Sequence, residues 1–259
     1  MTTFGKVYKT EAIVLKHFPL GEADYILTLF SPNRGKIRAV ARGSRRIKSK
    51  LGGHIEPLMR TSFVINAGKN LDIISQAELI DGFRPLRENI HFLNLGIYMA
   101  ELVDYMTQEN QSNQETYRLL LESITAICND HSPTLLPYFQ LRMIIHNGFG
   151  PELYDCIECG TLIEPNKHRF CTDGGGVICL HCRPENVNIL PLRLDTLKLL
   201  RFLSRSDWKS IQRLRLNRGN LIELNRITKE LISYTINRDI ISSTFLDYLY
   251  ESFESEESV

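Results

Sequence analysis

Residues 25–43, YILTLFSPNRGKIRAVARG, hold two strand-like segments on either side of a turn. Tyr25–Ser31 is short and rich in β-branched and aromatic residues, and Pro32–Gly35 has the Pro and Gly of a turn. Lys36–Gly43 roughly alternates. Its period of two puts Lys36, Arg38 and Arg42 on one face, interrupted by Val40, and Ile37, Ala39 and Ala41 on the other. Outward from this hairpin the β pattern continues. Ala12–Phe18 precedes it, and residues 60–68 (RTSFVINAG) and 71–80 (LDIISQAELI) follow, joined by a turn at NAGKN. Residues 44–57, SRRIKSKLGGHIEP, lack apolar periodicity. Five short strands in roughly 80 residues fit a small barrel better than a sandwich.

Beyond Phe83 the period changes. Ile90, Leu93, Ile97, Ala100, Leu102 and Val103 recur at roughly helical spacing. A second helix is predicted in SNQETYRLLLESITAICND, capped by Ser112 with Glu115 three residues on. A third is predicted in SPTLLPYFQLRMIIHNGFG, closed by Gly148 and Gly150. PLRLDTLKLLRFLSRSD and LNRITKELISYTINRDI are amphipathic, STFLDYLYESF ends the fold, and the terminal ESEESV is an acidic tail expected to be disordered.

The formal net charge of +1 conceals an asymmetry. Residues 1–80 hold 13 Lys/Arg against 6 Asp/Glu, and the remaining residues hold 18 against 24. A basic first third joined to an acidic remainder suggests a polyanion partner for the first part. No apolar run approaches the ~20 residues that span a bilayer, and the first residues lack a signal-peptide pattern. The expectation is a cytoplasmic chain with reduced cysteines.

Five of the six cysteines lie in residues 156–182, CIECGTLIEPNKHRFCTDGGGVICLHC. Cys156-x-x-Cys159 and Cys179-x-x-Cys182 stand 19 residues apart, within the spacing of a four-cysteine zinc site. Each pair wraps two thiolates onto one side of a tetrahedral ion, and Gly160 follows the first pair where a tight turn is needed. Four protein ligands leave no open position, so one structural zinc ion is expected rather than a catalytic one. Cys171 is the spare, and His168 and His181 are further non-ligands. The alternatives are four reduced thiols without metal, or a redox pair, but no thioredoxin-like βαβ pattern surrounds either motif. His54-Ile55-Glu56 followed by a distant CxxC has the outline of a nucleobase deaminase signature. Asp155 stands where that signature needs Pro, and the second CxxC would have no part in it.

Arg42, Arg45, Arg46, Lys48 and Lys50 crowd into nine residues, shortly after Arg34, Lys36 and Arg38. Such runs are often only solvated faces. This one lies in the region of positive excess, is mostly Arg, which grips phosphate bidentately, and connects strands of a candidate barrel. Tyr25, Phe30 and Phe63 are candidate stacking platforms, against the alternative that they are core. No P-loop, GxGxxG or HExxH occurs. Gly174–Gly176 lie inside the cysteine segment, and Ser206-x-x-Lys209 has no β-lactamase partner motifs.

Together these residues resemble a known family. GEADYILTLFSPNRGKIRAVARGSRR is similar to the N-terminal signature of RecO, the bacterial recombination mediator and DNA-repair family. The likeness runs on through LGGHIEPLMRTSFVI, LDIISQAELI and ELVDYM to CIECG and GGVICLHC, covering nearly the whole chain. It implies an α+β architecture: a five-stranded OB-fold barrel, then an α-helical domain containing the four-cysteine zinc finger. The expected boundaries are 1–80 for the barrel, 81–150 and 191–252 for the helical domain, 151–190 for the finger inserted in it, and 253–259 for the tail.

The resemblance also implies a function. Such proteins bind single- and double-stranded DNA and anneal complementary strands. With RecR they help RecA replace single-strand-binding protein, whose acidic C-terminal tail some of them bind. Cys156, Cys159, Cys179 and Cys182 match the family's zinc positions, and Arg34, Lys36, Arg38, Arg42, Arg45 and Arg46 match its basic stretch, which Lys48 and Lys50 extend here. Cys171 departs from the common pattern. The candidate surface for the acidic tail is the basic stretch 193–218. The function expected is a non-enzymatic, nucleoid-associated mediator of RecF-pathway repair. The rivals are a protein-only scaffold and an enzyme acting on nucleic acid.

Overall fold

A computed structural model describes residues 7–129, 132–165, 167–185 and 187–236. They form two compact units, residues up to 129 and residues from 130 onward. No helix among the described residues is long and apolar enough to cross a membrane.

The first unit opens with a closed five-stranded barrel of β1 (Val7–Leu20), β2 (Asp24–Ser31), β3 (Gly35–Ala41), β4 (Arg60–Asn66) and β5 (Asp72–Asp81), in the order β1-β2-β3-β5-β4. Neighbours are antiparallel except β3 and β5, which close the barrel in parallel. This is the OB-fold arrangement, and closure leaves no free sheet edge. Val14, Leu27, Leu29, Ile37, Ala39, Ala41, Phe63, Ile65 and Ile74 fill its interior.

The alternation in β3 is as its sequence predicts, with Ile37, Ala39 and Ala41 inside and Arg38 outside. In β1 it breaks down. Ala12, Ile13, Val14 and Leu15 are all buried, a continuous apolar run of the kind that forms when both faces of a strand are covered. The outer cover is helical: α1 (Arg84–Glu88), α2 (Ile90–Met106) and α3 (Gln114–Asn129). Phe30 packs under α3, its ring centroid 6.4 Å from that of Tyr117. The Arg87 guanidinium donates to the Pro57 carbonyl at 2.6 Å. These helices pack on the barrel, and the first compact unit runs through α3.

The cap of α3 also differs from expectation. Asn113, not Ser112, accepts from the Thr116 amide at 2.9 Å. Ser112 lies one residue too early and donates to the Pro32 carbonyl at 3.0 Å.

The second unit is built around α4 (Leu135–His146), with α5 (Leu194–Arg205), α6 (Trp208–Ile211) and α7 (Arg218–Ile236). Leu135–Leu141 of α4 are all buried, so this helix is a core element with little polar face. Its buried Gln140 accepts from the Thr228 hydroxyl at 2.7 Å. Between α4 and α5 lies a small antiparallel sheet in the order β7 (Gly176–Cys179), β6 (His168–Cys171), β8 (Ile189–Pro191). The finger is therefore inserted between helices of this unit. The STFLDYLYESF segment expected to end the fold and the acidic tail lie outside the described residues.

Candidate functional site

The basic stretch begins on β3 and continues in the loop to β4. Its base is tightly held. The Gly43 amide donates to the Asp24 carboxylate at 2.7 Å, the Arg45 amide to the Ala23 carbonyl at 2.9 Å, and the buried Ser44 hydroxyl to the Ala41 carbonyl at 2.7 Å. Above that base, Arg42, Arg45, Arg46, Lys48 and Lys50 are exposed. Among the described residues, no carboxylate lies within ion-pair distance of any of the five. Arg45 donates to the Gly21 carbonyl at 2.8 Å and lies 5.7 Å from the centre of the Tyr25 ring. That leaves much of its guanidinium toward solvent.

The cations before the loop are placed differently. Lys36 shares the outer face of β3 in sequence, yet its side chain is only 12% exposed. Its ammonium lies 3.2 Å from the Asp104 carboxylate of α2 and donates to the Asp104 carbonyl at 2.5 Å. Lys16 completes the group at 2.5 Å from the other Asp104 oxygen. Arg38 faces Glu109 at 3.8 Å, with both side chains about half exposed, a contact that costs little to break. Arg34 lies 3.8 Å over the ring of Tyr8, whose phenol hydrogen-bonds Asp72. Burial, then the Asp72 carboxylate, holds that phenol well above its usual pKa, so it remains a neutral donor.

Of the candidate stacking platforms, Phe30 and Phe63 are fully buried. Tyr25 is half-buried, stacked on His17 with centroids 4.2 Å apart. The periodicity could not single out two exposed apolar side chains on this unit. Phe18 near the end of β1 is 52% exposed with the Lys16 ammonium 5.2 Å from its ring, and Ile47 stands in the middle of the basic loop.

In the second unit the four CxxC thiols converge. The sulfurs of Cys156, Cys159, Cys179 and Cys182 all lie within 4.8 Å of one another, with Cys159 and Cys179 3.9 Å apart. The edge of a tetrahedron with 2.3 Å metal–sulfur bonds is about 3.8 Å, so the cluster has the dimensions to hold such an ion. The first knuckle is shaped by backbone bonds: the Gly160 amide donates to the Cys156 carbonyl at 2.8 Å, and the Cys156 amide to the Thr161 carbonyl at 2.8 Å. Gly160 takes φ +69° there, which a residue with a Cβ resists.

The thiols are unequal. The Thr161 hydroxyl and amide pull Cys159 down to about 6, while its hydrogen bond to Cys159 pushes Cys182 up to about 12. One thiolate so close to other thiols opposes further ionisation, and a bound cation removes that opposition. Cys171 is buried in β6 outside the cluster, its sulfur 3.3 Å from the Gly174 amide. Gly174 and Gly175 lie in the β6–β7 turn and Gly176 opens β7.

In the stretch 193–218, Arg193 is taken up by Glu223 and Asn220, at 3.1 and 2.6 Å. Arg201 donates to the Leu153 carbonyl at 2.7 Å and lies 4.5 Å from the centre of the Tyr154 ring. Lys198, Arg205, Lys209, Arg213 and Arg215 remain exposed.

Comparison with known proteins settles the lineage. The family profile described as Recombination protein O N terminal matches residues 4–83, and the one described as Recombination protein O C terminal matches residues 87–244. The chain belongs to the RecO family. Among curated RecO proteins, that of Desulforamulus reducens is 33% identical over 95% of this chain and 96% of its own length. Those of Dehalococcoides mccartyi and Roseiflexus sp. are 31% and 32% identical over 93% of this chain, covering 96% and 86% of their own lengths. All three bear the name DNA repair protein RecO, which names a repair protein rather than an enzyme. Membership gives this RecO-family chain a role in DNA repair and recombination. The two profiles meet between residues 83 and 87, whereas the compact units divide after α3.

Proposed function

We propose that the chain is a non-enzymatic recombination mediator that binds single- and double-stranded DNA through the β3–β4 loop and anneals complementary strands. With RecR it helps load RecA on DNA coated by single-strand-binding protein. The observation that carries this reading is the set of five exposed cations on a loop whose base is tied down. A basic surface of this kind screens two phosphate backbones at once, so complementary bases can meet. The contacting residues are Arg42, Arg45, Arg46, Lys48 and Lys50, flanked by Arg34 and Arg38. Lys36 serves instead to hold α2 on the barrel.

One zinc ion held by Cys156, Cys159, Cys179 and Cys182 supports the inserted finger, for which the thiolate set and its dimensions speak. With all four positions filled by protein, the ion cross-links the two knuckles and performs no step of a reaction. Lys198, Arg205, Lys209, Arg213 and Arg215 form the surface for the acidic tail of single-strand-binding protein. The protein works in the cytoplasm, at the nucleoid.

The test is fluorescence anisotropy of a labelled mixed-sequence single strand over a salt series. Each phosphate neutralised steepens the slope of log K against log salt by about 0.7, so five contacts give a slope of about −3.5. Reversing Arg45, Arg46 and Lys48 together to Glu flattens the slope by about 2 and weakens binding to all sequences alike. An unchanged slope removes the loop from the DNA interface. No binding by the intact protein at low salt leaves a protein-only scaffold.

A further inference from the structure

Ile47 is the one apolar side chain between Arg42 and Lys50, and its relative exposure is 105%. Lone exposed apolar residues are ordinary, but the backbone around this one is not loose. The Ser49 amide donates to the Arg46 carbonyl at 2.9 Å, closing a β-turn with Ile47 and Lys48 at its corners. The Arg46 amide donates to the Gly43 carbonyl at 3.2 Å, linking this turn to the anchored base. Beyond it, Ser49 Oγ accepts from the amides of Leu51 and Gly52 at 3.1 and 3.2 Å. Ile47 is thus presented at the apex of a braced loop.

Neither turn chemistry nor packing calls for isoleucine there. A β-branched residue has no advantage at a turn corner, and a side chain this exposed gains nothing from burial. Its sequence neighbours on both sides, Arg46 and Lys48, are exposed cations without ion-pair partners among the described residues. A protein-docking face needs a contiguous apolar patch of some hundreds of Å². A single apolar side chain between cations instead suits insertion into a polyanion with an apolar interior, which is a stacked nucleic acid. Apolar wedges, isoleucine among them, open base steps in this way.

We propose that Ile47 inserts between two adjacent bases of the bound single strand and unstacks them, while Arg46 and Lys48 hold the phosphates on either side. This rests on the DNA-binding reading of the same loop and specifies what its apex does. The bases opened at the step present their pairing edges to an incoming strand. Because insertion gains apolar contact at the expense of stacking, Ile47 contributes little to affinity and much to strand conformation.

The experiment uses the full chain and a fluorescein-labelled single strand for affinity. A second strand carries 2-aminopurine, whose fluorescence is quenched by stacking, within an adenine run. Four proteins are compared: the unaltered chain, Ile47→Ala, Ile47→Phe, and the triple Arg45, Arg46, Lys48 reversal to Glu. Ile47 packs against nothing, so its variants fold. Expected at saturation is a rise in 2-aminopurine fluorescence that Ile47→Ala cuts by about half or more, with affinity changed by no more than about threefold, and that Ile47→Phe restores. If Ile47→Ala gives the full rise while the triple reversal weakens binding, the wedge is refuted and the DNA-binding loop stands. If the triple reversal leaves binding unaltered, the reading of the loop fails and the wedge with it.

Discussion

Replacing Asp104 with Asn tests how the barrel and its covering helices are joined. One carboxylate serves two ammonium groups, Lys16 at 2.5 Å and Lys36 at 3.2 Å, and the side chains of Lys36 and Asp104 are only 12% and 14% exposed. Lys16, at 44% exposed, can return to water, so its share is that of a surface pair, about 0.5 kcal/mol. Lys36 is confined. Removing the partner of a fully buried charge costs about 3–5 kcal/mol. Lys36 keeps the Asp104 carbonyl, at 2.5 Å, and a neutral amide of the same shape, which lowers its share to about 1.5 kcal/mol. The sum is about 2 kcal/mol. With a urea m-value of about 2 kcal/mol/M, the midpoint of the first unit falls by about 1 M.

A double-mutant cycle isolates the mechanism. Lys36→Met replaces the buried ammonium with an apolar side chain of similar length and is expected to cost less than about 1 kcal/mol. In that background Asp104→Asn costs only the exposed pair, about 0.5 kcal/mol. Urea unfolding followed by circular dichroism and by tyrosine fluorescence supplies all four midpoints. Equal costs of Asp104→Asn in both backgrounds would refute the reasoning, as would a midpoint shift below about 0.2 M in the native background. Lys36→Met should also leave DNA affinity and its salt slope unaltered, because its ammonium faces Asp104 rather than solvent.

Gly35→Ala should destabilise the first unit by at least about 2 kcal/mol in the same urea assay. Gly35 takes φ +64° and an added Cβ would lie 1.8 Å from the Gln111 carbonyl oxygen. Asn113→Ala should cost about 1 kcal/mol through loss of the α3 cap, and Ser112→Ala close to nothing. The reverse order of these two costs would return the cap to Ser112. Cys179→Ser should abolish bound zinc, measured by colorimetric release, and lower the melting temperature of the chain. Cys171→Ala should keep one ion per chain, and loss of the ion would bring Cys171 into the ligand set.

Much of this molecule was legible because its signals are local. The period-two pattern around Pro32–Gly35 marked β2 and β3, since alternation follows from the pleat of a single strand. Cys156-x-x-Cys159 and Cys179-x-x-Cys182 announced their cluster because two residues between thiols is a property of one knuckle, whatever surrounds it. The charge excess of the first third likewise needs no fold to be counted.

The rest depended on which element meets which. Lys36 and Arg38 are equivalent in the alternation of β3, and only the end of α2 distinguishes them by bringing Asp104 to one. Phe30 and Tyr25 lie on one strand with similar sequence surroundings, yet α3 covers the first while the second stays half open beside Arg45. Ile47 lies in a stretch whose sequence has no apolar period to place it, and its presentation at the apex follows from hydrogen bonds that fix the loop around it. By itself the sequence determined the strands, the knuckles and the uneven charge, because backbone geometry and short-range spacing encode them. Only the tertiary structure decided which cations stay free, which aromatics are buried and where the units divide, because long-range packing determines which groups lose their water.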